Sequence, residues 1–148
     1  MKKKLMPTTY LLVAMLFCTA LYLLIPVAYI VPSPWNLIGL APLFFGIWIN
    51  LSADQAFKMA KTTVKPFEES NALIQDGVFR WSRNPMYLGF VTILLGISLL
   101  LRSLSPYIVV VVFVFLIDMR FIRVEEKMLE EKFGDQWKQY RARVRKWI

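Results

Sequence analysis

Histidine is absent from all 148 residues, cysteine occurs once, and no charged side chain stands between Lys4 and Asp54. Without histidine the commonest general base is gone, and with it the Ser-His and Cys-His nucleophile pairs and most zinc chemistry. Cys18 alone forms no intramolecular disulfide and no cysteine metal site; inside an apolar run it reads as a buried, inert thiol. No metal is called for, and any reaction falls to carboxylates, arginine, tyrosine, asparagine and the backbone. Internal repeats and low-complexity tracts are also missing.

What is present is apolar. Hydrophobic residues make up 57% of the chain and charged ones 19%, below the roughly 25% of an ordinary soluble domain, so lipid is the expected solvent. The length suits a single unit, residues 1–148, with no room for a second domain of ordinary size. The uncharged stretch after Lys4 is long enough for two membrane crossings, at about 9–31 and 35–51, divided by Pro32-Ser33-Pro34. Pro26 is expected to kink the first. That stretch also far exceeds the apolar region of a signal peptide, so a retained span is expected. Two further runs, 85–101 and 105–121, are joined by a tight turn at Arg102-Ser103-Leu104-Ser105-Pro106 and predict an antiparallel helical hairpin. Four consecutive valines, 109–112, would weaken a helix in water; in hydrocarbon only a helix or a closed barrel satisfies the backbone. The expected class is therefore an all-α integral membrane protein of about four transmembrane helices.

The formal charge of +8 raises the question of nucleic acid, but the basic residues flank apolar runs, as expected for contact with anionic lipid headgroups. Of the eighteen lysines and arginines, all but Arg102 fall on the side of the N-terminus, and so do the ten acidic residues. This asymmetry predicts cytoplasmic N- and C-termini, with 52–84 and 122–148 as cytoplasmic segments. The brevity and the lysine-rich start fit a prokaryotic inner membrane. In the tail, Leu129, Phe133, Trp137, Tyr140, Val144 and Trp147 recur at helical spacing opposite Lys138, Arg141, Arg143, Arg145 and Lys146. The pattern predicts an amphipathic helix on the membrane surface, interrupted at Gly134-Asp135, and its interleaved aromatics argue against nucleic acid.

Two polar clusters are brought to one face by this topology: 71–89, leading into the third span, and Glu125-Glu126, just past the fourth. A pocket there would have membrane on one side and cytosol on the other. Each piece has an ordinary reading. Arg83 and Tyr87 serve as interface anchors, Pro85 as a first-turn residue, Gly89 and Gly96 as points of close helix approach, and the glutamates as a solvated helix face.

Taken together, Leu73, Gly77, Phe79, Arg83, Asn84, Pro85, Tyr87 and Gly89, then Glu125-Glu126, then Phe133-Gly134, Tyr140 and Val144 resemble the isoprenylcysteine carboxyl methyltransferase and phospholipid methyltransferase superfamily. The resemblance covers residues 71–147. It implies a membrane-embedded enzyme using S-adenosylmethionine, with cofactor contacts at Asn71, Ile74, Phe79, Asn84, Pro85, Met86, Tyr87, Glu125 and Glu126. The partners it implies are membrane lipid and a lipid-soluble methyl acceptor: a prenylcysteine-like carboxylate, a phospholipid amine or similar. Two departures stand out. Asn84 and Asn71 occupy positions of family histidines, which keeps hydrogen bonding but not titration. The family's substrate arginine falls at Phe121, leaving Arg120 or Arg123 to meet an anionic headgroup. With Tyr87 these are the candidate catalytic residues, and Glu125, Glu126 or Tyr87 would take a proton from an amine. A non-enzymatic scaffold that keeps the fold is the alternative.

Overall fold

The computed structural model describes residues 6–62 and 71–148; Lys2, Lys3 and Lys4 and the segment carrying Lys65, Glu68 and Glu69 lie outside them. Among the described residues there is no strand, only an isolated bridge between Tyr29 and Ser103. Five helices follow one another: α1 (Pro7–Leu24), α2 (Leu40–Met59), α3 (Pro85–Leu100), α4 (Ser105–Ile117) and α5 (Arg123–Arg143). Short 3-10 turns precede α2 and α3, at Trp35–Gly39 and Gly77–Arg80, and a π turn, Asp118–Ile122, joins α4 to α5. Among the described residues two helices are, by length and composition, apolar enough to cross a membrane, Pro7–Leu24 and the 25-residue Trp35–Met59; Pro85–Leu100 is shorter.

The first apolar run does not stay helical to residue 31. Pro26 ends α1 instead of kinking it, because a residue before proline is pushed out of the helical region; Ile25 has φ −140° and ψ 65°. The chain from there runs over the turn between α3 and α4. Ile30 N donates to Arg102 O (2.9 Å), Leu104 N to Ala28 O (2.9 Å) and Arg102 Nε to Val31 O (3.2 Å). The second helix runs past residue 51, its last turns carrying an Asp54–Lys58 pair at i,i+4 (2.6 Å). Both ends of α3 and the start of α4 fall within a residue of expectation, while α4 ends at Ile117 instead of 121 and gives way to the π turn at Asp118. Pro85 and Pro106 sit in the first turns, where a missing N–H costs nothing.

Glycines set the spacing between α2 and its lead-in turn on one side and α3 on the other. A Cβ on Gly39 would lie 2.5 Å from Gly96 O, and one on Gly46 would lie 2.5 Å from Gly89 O. The two contacts run in opposite directions along the two chains, so the helices are antiparallel and nearly touch backbone to backbone. On the other side of α3, Ala14 and Cys18 of α1 pack with Phe90 and Leu94 of α3 and with Val110, Phe113 and Ile117 of α4.

The tail's aromatic stripe packs in part on the protein itself. Gly134 does break α5, at φ +48° in open space. Beyond the break, however, Trp137 and Tyr140 are buried against protein, at 1% and 2% exposure. Tyr140 donates its hydroxyl to Phe79 O (2.7 Å). The aromatic stripe found a partner in the segment before α3, which periodicity alone does not reveal.

Candidate functional site

One end of the helix bundle gathers the start of α1, the last turns of α2, the start of α3 and the first turn of α5. There they enclose a cavity of about 240 Å³. Its wall includes Asn84, Pro85, Met86 and Tyr87, a run whose geometry is set by Pro85 at the first helical position of α3. Phe57, Phe79 and Phe90 add an aromatic face, Met6, Pro7 and Thr8 close the side toward α1, and Glu125 supplies a carboxylate.

Glu125 is joined to the α3 motif by a single short bond: the Tyr87 hydroxyl donates to its Oε1 at 2.6 Å, across 38 residues of sequence. Among the described residues no cation stands within ion-pair distance of Glu125. Burial away from water therefore holds its carboxyl well above the usual carboxylate range, and the bond from Tyr87 only partly offsets this. A half-buried carboxylate with no counter-charge at a cavity wall is a place for a cationic ligand. The aromatic and methionine surface beside it suits a flat ring or an apolar chain. The donor set fits a ligand that carries ammonium or sulfonium charge and an aromatic base.

Glu126, its neighbour, has a different role. Arg83 Nε (3.1 Å) and Asn84 Nδ2 (3.2 Å) both donate to Glu126 Oε1. This ion pair is nearly dry, with side-chain exposures of 8% and 14%. Arg83 also donates through Nη1 to Arg141 O and Val144 O, both at 3.1 Å, and its guanidinium lies 5.7 Å from the Trp137 ring centre. One arginine thus ties together the start of α3, the first turn of α5 and the chain beyond Gly134.

The structure brings Phe79, Asn84, Pro85, Met86, Tyr87 and Glu125 to the cavity and leaves the other sequence candidates outside its wall. Ile74 packs against Ala53, Val78 and Phe79, behind the aromatic face. Asn71 N donates to Thr62 Oγ1 (2.8 Å) at the surface. Glu126 points to Arg83. Arg120 is exposed, and Arg123 is two-thirds exposed and paired with Asp118 (2.8 Å). Three consecutive helical elements from Ser105 to Arg143 place these two arginines, and the π turn among them shifts the helical register just before Arg123. Sequence reasoning missed Arg83 and Phe57 as wall residues. Arg83 was visible inside the motif, but besides Glu126 its partners are backbone carbonyls, which no sequence pattern marks.

A protein-family model described as phospholipid methyltransferase matches residues 35–136. The protein-S-isoprenylcysteine O-methyltransferase of Saccharomyces cerevisiae is 41% identical over 80 residues, which is 52% of this chain and 32% of that protein. The protein of the same description from Schizosaccharomyces pombe is 30% identical over 76 residues, 51% of this chain and again 32% of the relative. An uncharacterized Haemophilus influenzae protein is 38% identical over 63 residues, 43% of this chain and all of its own length. The chain thus spans about a third of the two fungal relatives. Among solved structures, the eukaryotic intramembrane Ras methyltransferase, isoprenylcysteine carboxyl methyltransferase, superposes with a TM-score of 0.69 at 22% identity, covering 95% of this chain and 51% of that one. At that identity the likeness speaks for the fold.

Proposed function

The chain belongs to the phospholipid methyltransferase family, and on that footing we propose that it transfers a methyl group from S-adenosylmethionine to a lipophilic acceptor at a membrane boundary. The observation that carries this reading is the Tyr87–Glu125 bond (2.6 Å), which closes a cavity with an uncompensated carboxylate on one wall and aromatic side chains on another.

The cofactor, when bound, supplies a methyl group already activated on sulfur, so the protein's task is alignment more than acid–base work. Glu125 attracts the positive charge, and Tyr87 holds one of its oxygens so that the other is aimed by the same bond. Phe57, Phe79 and Phe90 pack on the flat and apolar parts of the ligands and exclude water. A carboxylate or thiolate acceptor takes the methyl group without losing a proton. An amine must release one, and Glu125 is the carboxylate at the cavity wall that can receive it. In this reading Arg120 and Arg123, exposed beside the first turn of α5, would hold an anionic headgroup at the membrane boundary.

The charge asymmetry supports four crossings with both ends in the cytoplasm, and the meeting of α1, α2, α3 and α5 at one end supports a cofactor site on that side. The acceptor then reaches the cavity from the bilayer and the cofactor from the cytosol. The test is to incubate membranes containing the protein with methyl-labelled cofactor and separate the lipid fraction. Label should appear there with the unsubstituted protein and be lost in Glu125→Ala. A folded protein that moves no label to lipids, prenylated peptides or small apolar acids and thiols would favour the scaffold reading.

A further inference from the structure

The chain beyond Tyr140 lies across the start of α3 as a strap held by its own carbonyls. Arg83 N donates to Arg145 O (3.0 Å) and Arg83 Nη1 to Arg141 O and Val144 O. Lys146 is fixed at both ends. Its carbonyl accepts from Ser82 Oγ (3.1 Å) and from Asn84 Nδ2 (3.2 Å). Its ammonium donates to Asp118 Oδ1 (2.9 Å) in the π turn, where the Asp118 side chain is 15% exposed.

The same Asn84 nitrogen donates to Glu126 Oε1 (3.2 Å), and Asn84 N donates to Ser82 Oγ (3.1 Å). A carboxylate and a carbonyl are acceptors only, so together they decide which end of the Asn84 amide is nitrogen. Its other end, Oδ1, remains for a ligand, and Asn84 lines the cavity. With Glu125 this makes two acceptors on the cavity wall, a pair that selects hydrogen-bond donors such as an ammonium or a hydroxyl. The histidine of related proteins could present either sense by changing tautomer; an amide cannot do so without turning over.

We infer that Asp118 and Lys146 are positioning residues. Their ion pair holds the Lys146 carbonyl against Asn84, and so fixes Asn84 Oδ1 as an acceptor for the cofactor's donors. Neither residue lines the cavity. This rests on reading the cavity as the cofactor site. When the pair is broken the strap loosens, Asn84 Nδ2 keeps Glu126 Oε1 as its one remaining acceptor, and Oδ1 is held less firmly toward the ligand.

The test uses the full chain purified in detergent, with S-adenosylmethionine affinity measured by calorimetry. Asp118→Asn and Lys146→Met should each weaken binding about tenfold, the worth of one hydrogen bond to a charged group. The double variant should be little worse than Asp118→Asn alone, because Lys146 acts through the same ion pair. Lys146→Arg, which keeps the cation, should bind within about twofold of the unsubstituted protein. During turnover of Lys146→Met the cofactor KM should rise while the acceptor KM holds; Asp118→Asn also releases Arg123 from its ion pair, so the KM comparison is read on Lys146→Met. Trypsin should also cut faster after Arg141, Arg143 and Arg145 in Asp118→Asn, a readout of the strap that needs no cofactor. Melting curves separate this from a merely structural role, which would lower stability and leave the affinity of the folded fraction unchanged. Single variants that bind as well as the unsubstituted protein overturn the inference alone. An unsubstituted, folded protein that binds no cofactor overturns the cofactor reading as well.

Discussion

The α2–α3 contact and the polar cluster at the cavity hold the same helix, α3, by opposite means. Along Gly39, Gly46, Gly89 and Gly96 the fold depends on side chains that are missing, since a backbone carbonyl of the facing chain lies where each Cβ would go. At the other contact, Arg83, Asn84 and Tyr87 hold α5 through charge and hydrogen bonds donated to Glu126 and Glu125. The first contact resists added volume and is indifferent to charge; the second tolerates small changes of shape but not the loss of a partner. A helix anchored along its length by close packing can carry a polar site at its end without the site having to supply the fold.

The largest effect should come from the polar side. Arg83→Met leaves Glu126 buried without its cation and frees the carbonyls of Arg141 and Val144. Breaking one half of a buried pair costs about 3–5 kcal/mol, read as a lower melting temperature in detergent together with loss of cofactor binding. Gly46→Ala comes next. Its new methyl group would sit 2.5 Å from both Gly89 O and Thr92 Oγ1, forcing α2 and α3 apart at about 1–3 kcal/mol. Here melting should fall while the affinity of the folded fraction is retained, and equal losses of both would break the contrast between the two regions.

The third prediction concerns pH. Burial raises the Glu125 carboxyl above its unfolded value, so the folded apo protein favours the protonated form. That contribution to stability is present at low pH and is lost as pH rises through the raised value. A cationic ligand needs the ionised form, so S-adenosylmethionine affinity should increase with pH over the same window, by up to about tenfold per unit. Glu125→Gln should bind weakly with no pH dependence. A flat profile in the unsubstituted protein would assign the cation's partner elsewhere. The last prediction is Gly134→Ala, where space is open but φ +48° with ψ −115° lies outside the left-handed helical well; the strain of about 1–3 kcal/mol should lower the melting temperature and leave cofactor affinity of the folded fraction unchanged.

How much of this was legible in the sequence follows the same division. The third and fourth helices could be read directly, because Asn84-Pro85 and the Arg102–Pro106 turn bound uncharged runs and leave little freedom. The first helix was overextended because hydropathy outweighed the restriction that Pro26 places on Ile25. Gly89 and Gly96 were visible as a spacing, but their partners Gly39 and Gly46 emerge only when antiparallel helices are laid side by side. At the site, Tyr87 and Glu125 were recoverable from the family-like motif. The split between Glu125 in the cavity and Glu126 on Arg83 was not, because adjacent residues on a helix point about 100° apart and only packing decides which faces inward. The strap was hidden for a related reason. It is held by main-chain carbonyls, so its side chains give no sign of where it docks.

The central claim is that the cavity closed by Tyr87 and Glu125 takes S-adenosylmethionine. The most direct measurement is calorimetric titration of that cofactor into the full chain in detergent, beside Glu125→Ala. Saturable binding of one molecule per chain is expected for the unsubstituted protein. In Glu125→Ala binding should be lost while the melting temperature changes little, since an unpaired, partly desolvated carboxylate is removed but the Tyr87 hydroxyl loses its acceptor. A folded unsubstituted protein with no binding, or binding that survives Glu125→Ala, would contradict it.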